Sequence, residues 1–197
     1  MSTISASTTT TTAYQVSADT TGALVFQTGS TPTTGLTIDT GQRSKFPTTI
    51  GVGGATPSTS GSGISFPATQ SASSDANTLD DYEKGTWTPV ATSGSGSITT
   101  YSSNGAYTKV GRIVTIFGSI TTTTIGTAGG TLNFSGLPFA TLNSEQYVGL
   151  SREAINTGAN NFAVISSSTG YLQSITGGAI SWQNGSSFRF TITYQTT

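Results

Sequence analysis

Near the end of the chain Phe188, Phe190, Ile192 and Tyr194 alternate with Arg189, Thr191 and Thr193. A strict period of two puts the large apolar set on one face of a β-strand and the polar set on the other. This segment therefore has one face in a core and one that is wet or at a subunit contact. Strand signals recur at short spacing from Trp87 onward, the pattern of a sandwich or barrel. Arg112 to Ile120 is apolar on both faces and reads as a central strand. Ala106–Val110, Gln146–Leu150, Asn161–Ser166, Tyr171–Ile175 and Ala179–Trp182 read as further short strands. Asn104-Gly105, Gly111 and Asn184-Gly185 supply turns. Gly136-Leu137-Pro138-Phe139 is a crossing or edge segment, because Pro138 has no N–H for a ladder. Ser151 to Ile155 is the best, and short, candidate for a helix in this half. Residues 87–197 are thus expected to form an antiparallel β-sandwich, jelly-roll-like, in an all-β chain.

The first 70 residues are different. Ser2 to Thr12 is almost entirely Ser and Thr, which has little to bury and reads either as a floppy tail or, since β-branching favours extended backbone, as an anchor that docks on another protein by strand addition, the reading taken here. Tyr14–Ser17, Ala23–Gln27 and Leu36–Asp39 read as short strands, the first two joined by a turn at Asp19-Thr20-Thr21-Gly22. One copy of this half cannot bury enough apolar surface to be stable alone. Several copies about a shared axis can, with Val25, Phe26, Leu36, Ile38, Phe46, Ile64 and Phe66 turned inward together with Ile50 and Val52. The expectation for 1–70 is an extended β stalk that is homo-oligomeric.

Between the halves, residues 71–86 hold half of the chain's acids, Asp75, Asp80, Asp81 and Glu83. Two readings stand side by side: a short helix capped by Ser73 or Ser74 with Leu79 and Tyr82 on one face and Gly85 as its stop, or an extended linker. Such a cluster suggests a Ca²⁺ site or an acid/base pair acting on a glycan. Against both, the EF-hand spacing is absent and glycosidase carboxylates normally come from separate strands. A solvated hinge whose Asp side chains cap backbone N–H groups or pair with Lys84 or an Arg is the reading preferred here. Gly51-Val52-Gly53-Gly54 lacks the Lys-Ser/Thr of a phosphate loop and is a glycine-rich turn.

Composition narrows function further. Charged residues are 8% of the chain, against about 25% in an ordinary domain. The net charge is -1 with no Lys/Arg cluster, which argues against nucleic acid as a partner. The chain has no Cys and no His, which removes disulfides, thiolate or imidazole metal sites, the usual general base and the Cys nucleophile. No apolar run approaches the roughly 18 residues of a membrane span, and there is no basic and apolar leader, so the expectation is a soluble chain without membrane insertion and without a cofactor. The better candidates for contact with a ligand are Tyr101, Tyr147, Tyr171 and Trp182 with the loop residues Asn156, Asn160, Asn161 and Gln183, since sugar rings lie on flat side chains and amides supply adaptable hydrogen bonds. Core packing is the competing reading for each, above all for Trp182.

The run Asn77-Thr78-Leu79-Asp80-Asp81-Tyr82-Glu83-Lys84-Gly85-Thr86-Trp87-Thr88-Pro89 resembles the joint that opens a C-terminal β domain in tail-fibre and virion surface fibre proteins of tailed bacteriophages, of the marine and cyanophage type. Gly105 to Arg112 and Gly136 to Phe139 extend the resemblance into the second half. It implies a non-enzymatic viral structural protein, a homotrimer exposed on the virion after assembly in the host cytoplasm. Its N-terminal half would bind other tail or capsid proteins, and its C-terminal domain would serve host attachment by binding a surface glycan or protein receptor. Because 197 residues are few for a long tail fibre, a capsid decoration, head-fibre or tail accessory protein is the alternative. A glycan depolymerase is disfavoured by the few carboxylates and the missing His.

Overall fold

The computed structural model describes residues 22–28, 31, 33–75 and 77–196; the Ser/Thr tract and the strand expected at Tyr14–Ser17 lie outside them. All regular structure among these residues is β. They divide into two compact units, with the break between Thr69 and Gln70.

In the N-terminal unit β1 (Leu24–Thr28), β2 (Thr33–Ile38) and β3 (Ser44–Lys45) form a three-stranded antiparallel sheet, and β4 (Thr49–Gly51) pairs in parallel with β5 (Gly63–Ser65). The Asp39 carboxylate shapes the β2–β3 turn: it accepts the N–H groups of Gly41 and Arg43 and pairs with the Arg43 guanidinium at 2.8 Å. The Arg43 N–H and side chain hold its carboxyl below the usual range. No described residue of this unit is buried: Val25, Phe26, Phe46, Val52 and Ile64 are exposed, while Leu36, Ile38, Ile50 and Phe66 are half-buried.

The second unit is one nine-stranded antiparallel sheet. Its strands are β6 (Tyr82–Trp87), β7 (Val90–Ser95), β8 (Thr100–Val110), β9 (Ile113–Thr124), β10 (Gly129–Ser135), β11 (Tyr147–Glu153), β12 (Asn160–Ser166), β13 (Thr169–Ser174) and β14 (Ser187–Gln195). Their spatial order is β6-β8-β9-β14-β11-β12-β13-β10-β7. The expected two-sheet sandwich is thereby corrected. β6 and β7 are consecutive in sequence yet lie at opposite edges, and the Thr88-Pro89 link can span no more than about 11 Å. The sheet must curl until its edges approach, giving a half-barrel. The Ser103 hydroxyl donates to the Pro89 carbonyl at 2.6 Å and helps to fix that link.

Inside the curl the apolar face closes on itself. Val114, Ile116, Ile120, Leu132, Phe134, Ile165, Leu172, Phe188, Phe190, Ile192 and Tyr194 are buried. Phe134 of β10 stacks on Phe190 of β14 at 4.6 Å between ring centres although three strands separate them along the sheet. Room for these rings comes from glycines placed directly across a ladder. Trp87 lies opposite Gly105, Tyr107 opposite Gly85, Phe190 opposite Gly118 and Phe134 opposite Gly170. A Cβ on any of these four glycines would sit within 2.8 Å of the facing ring. Asn104-Gly105, expected as a turn, is therefore in mid-strand, where Gly105 leaves space for the indole. The hairpin turn falls at Gly111, whose φ of +54° suits glycine.

Two other expectations change. Ser151 to Glu153 belongs to β11 instead of a helix, and Ala179 to Trp182 contributes only a single bridge, Gln173 with Ala179. Of the two readings of the joint, the linker is the one found, since no described residue between 70 and 81 is helical. Ser151–Glu153 is extended because it is paired on both sides, by Asn160 and Asn161 of β12 and by Phe188–Phe190 of β14.

Candidate ligand-binding surface

The acidic joint is built as structure. Asp75 accepts the Asn77 N–H at 2.9 Å and the Thr78 hydroxyl at 3.3 Å, a local turn. Asp80 accepts the Ser73 N–H at 2.9 Å, which holds its carboxyl below the usual range. Asp81 is buried and ion-paired with Lys109 of β8, whose ammonium also donates to Gln70 at 3.2 Å and lies 5.3 Å from the Phe139 ring centre. Among the described residues no group of three or more acidic side chains is arranged to hold a metal ion.

The segments that carry the fibre-protein resemblance meet here. The Trp87 indole N–H donates to the Phe117 carbonyl at 3.0 Å, Tyr107 meets Phe139 edge-on at 5.3 Å, and the Tyr194 hydroxyl donates to the Phe139 carbonyl at 2.9 Å. The motif thus fastens the start of the sheet to its centre.

The aromatic and amide candidates are scattered. Tyr101 is exposed on β8. Tyr147 is half-buried 6.1 Å from Tyr194, with its hydroxyl donating to Asn143 at 3.2 Å. Tyr171 is half-buried on β13 beside Asn133, and Gln146 donates to its hydroxyl at 3.4 Å. Trp182 packs against the core and donates to the Gly130 carbonyl at 3.0 Å, so it is largely a core residue. Asn161 is buried with its amide donating to the Ala159 carbonyl at 3.2 Å, and with Asn160 it lines a cleft of about 450 Å³. Asn156, Asn160 and Gln183 are exposed, Asn156 donating to Ser186 at 3.1 Å.

The Asn156 loop is held by a residue the sequence reading passed over. Glu153 is fully buried and accepts the N–H groups of Ile155, Asn156, Thr157 and Ser187 at 2.5–3.1 Å, with the Thr157 hydroxyl at 3.0 Å. Burial pushes its carboxyl upward, but the N–H donors of Thr157, Ser187 and Ile155 outweigh it and leave the pKa at about 2.

Among several concavities of the described residues is a cleft of about 450 Å³ lined by Phe117, Leu150, Arg152, Asn160, Arg189 and Thr191. Register aligns its walls. Ser119, Arg189, Arg152 and Asn160 form one row across β9, β14, β11 and β12, and Phe117, Thr191, Leu150 and Phe162 form the next row on the same face. Of these only Asn160 was among the sequence candidates. The alternation in β14 placed Arg189 on the wet face, but its facing residue depends on the β11–β14 register.

No family model, curated protein or solved structure matches the chain.

Proposed function

We propose that the chain is a non-enzymatic structural protein of a tailed-phage virion, a fibre-type adhesin that anchors through its N-terminal half and offers its C-terminal β unit to a host surface. The observation that carries this reading is that, among the described residues of the N-terminal unit, Val25, Phe26, Phe46, Val52 and Ile64 are exposed and no side chain is buried. Such a unit gains stability only against another surface, either copies of itself or a neighbouring virion protein. A homotrimer wound about a common axis supplies that surface, and it multiplies weak receptor contacts by holding several β units together. The fibre-protein resemblance of residues 77–89 supports the same reading.

Light scattering tests it on the full chain and on a chain beginning at Gln70, which keeps the Gln70–Lys109–Asp81 contacts intact. A trimer that becomes a monomer on truncation is expected. A full-length monomer would remove the shared-core reasoning. Immunogold labelling of particles should then decorate tails; label over the head would replace the adhesin with a capsid decoration protein.

A further inference from the structure

We propose that the outer-face cleft between Phe117 and Arg189 binds an acidic saccharide, a sugar unit bearing a carboxylate. Arg152 and Arg189 face each other directly across the β11–β14 ladder. Like charges placed so oppose folding unless something neutralises them. Nothing in the described chain does: its ion pairs are Arg43–Asp39 and Lys109–Asp81, and neither outer-face guanidinium has a hydrogen-bond partner there. The neighbouring Glu153 points into the core with both oxygens occupied. The Asn160 side chain, next in the same row, is likewise uncommitted, whereas the Thr191 hydroxyl is spent on the Ile116 carbonyl at 3.0 Å. Two planar forks and an amide line one row of the cleft, a chemistry suited to a carboxylate, since guanidinium binds it through paired N–H groups.

The second row selects a sugar over a simple anion. Two residues along each strand, about 7 Å away, Phe117 and Leu150 present apolar surface that is 46% and 66% exposed. A pyranose with a carboxylate at its edge covers both rows at once, its C–H face on the ring and its charge on the forks. An acidic peptide side chain would neutralise the arginines and leave the apolar row wet. All of these residues stand on central strands of a continuous ladder, so the cleft is preformed. The choice of a surface glycan rests on the adhesin reading, but the binding itself can be measured without a particle. A chain that binds the sugar yet is absent from virions keeps the site and loses that reading.

The experiment is calorimetric titration of the full-length protein with trigalacturonate and with its methyl ester, which keeps the rings and removes the charge. Binding is expected for the acid, at least 10-fold weaker for the ester, and weakened by salt. Arg152→Gln and Arg189→Gln should each lose about 10-fold, in line with one charge-assisted pair. Arg152→Lys should recover only part of the loss, because Lys keeps the charge without the fork. Phe117→Ala should lose several-fold. Equal binding of acid and ester, or no binding of either, overturns the proposal on the unmodified protein. Polyglutamate binding as tightly as trigalacturonate, with Phe117→Ala silent, overturns it in favour of an acidic peptide. A change of mass by light scattering in Arg189→Gln, with no sugar binding by the parent, overturns it in favour of a contact between copies.

Discussion

Replacing Gly118 by Ala places a methyl 2.3 Å from Cζ of Phe190 and 2.6 and 2.9 Å from the two Cε atoms. Phe190 cannot retreat, because Phe134 stacks on it at 4.6 Å and Trp87 meets its edge at 6.4 Å. Overpacking of this kind costs about 3 kcal/mol. Phe190→Leu alone removes the ring atoms in question and leaves a partly filled cavity, at about 2 kcal/mol. If the glycine exists to admit the ring, the two losses are not independent. The double variant should cost about 2 kcal/mol rather than the sum of about 5, a coupling near 3 kcal/mol. Urea unfolding followed by tryptophan fluorescence is a clean readout, since the chain's two tryptophans, Trp87 and Trp182, both belong to the sheet unit. Losses that add to within about 0.5 kcal/mol would refute the matching of glycine to ring.

Lys109→Met strands the buried Asp81 carboxylate and should cost about 3–5 kcal/mol, with much of that recovered in Asp81→Asn/Lys109→Met; urea midpoints of the two decide it. Glu153 has a folded pKa of about 2 against an ordinary 4.5, so its contribution is complete above about pH 4.5 and is lost as pH falls toward about 2. Glu153→Gln should cost about 2 kcal/mol at neutral pH and flatten the acid limb of a stability–pH curve. Burial pushes the Tyr194 hydroxyl up to about 12, so its contribution is complete below about pH 10 and is lost between about 10 and about 12. Tyr194→Phe should remove that alkaline limb from thermal melts recorded across the range.

The strands with strong patterns were legible because their pattern is the burial itself. Phe188 to Tyr194 alternates in the chain as it does in the sheet, and Ile113 to Ile120 falls within the central strand β9. Asn104-Gly105 misled because the dipeptide that favours a two-residue turn also leaves an empty Cβ position, and only the facing Trp87 decides between the two. Ser151 to Glu153 misled in the same way: its short polar run has no period, and its extended form is imposed by β12 and β14. The cleft was hardest to see. Arg152 and Arg189 are far apart in sequence and become neighbours through a register that no local pattern encodes.

The two faces of the sheet carry separable demands, which bears on where binding can evolve in such a fold. On the inner face, four glycines and rings are matched across three ladders, so a change on one strand requires a change on its partner. The joint adds the Asp81–Lys109 pair and the Trp87 hydrogen bond, which tie the acidic segment to that same interior. On the outer face Phe117, Leu150, Arg152 and Arg189 protrude from the backbone of these strands without packing into the core. Substituting any of them alters the surface while leaving the glycine–ring matches in place. A half-barrel that holds itself together from within can therefore exchange its outer rows, and with them its ligand, at little cost to the fold.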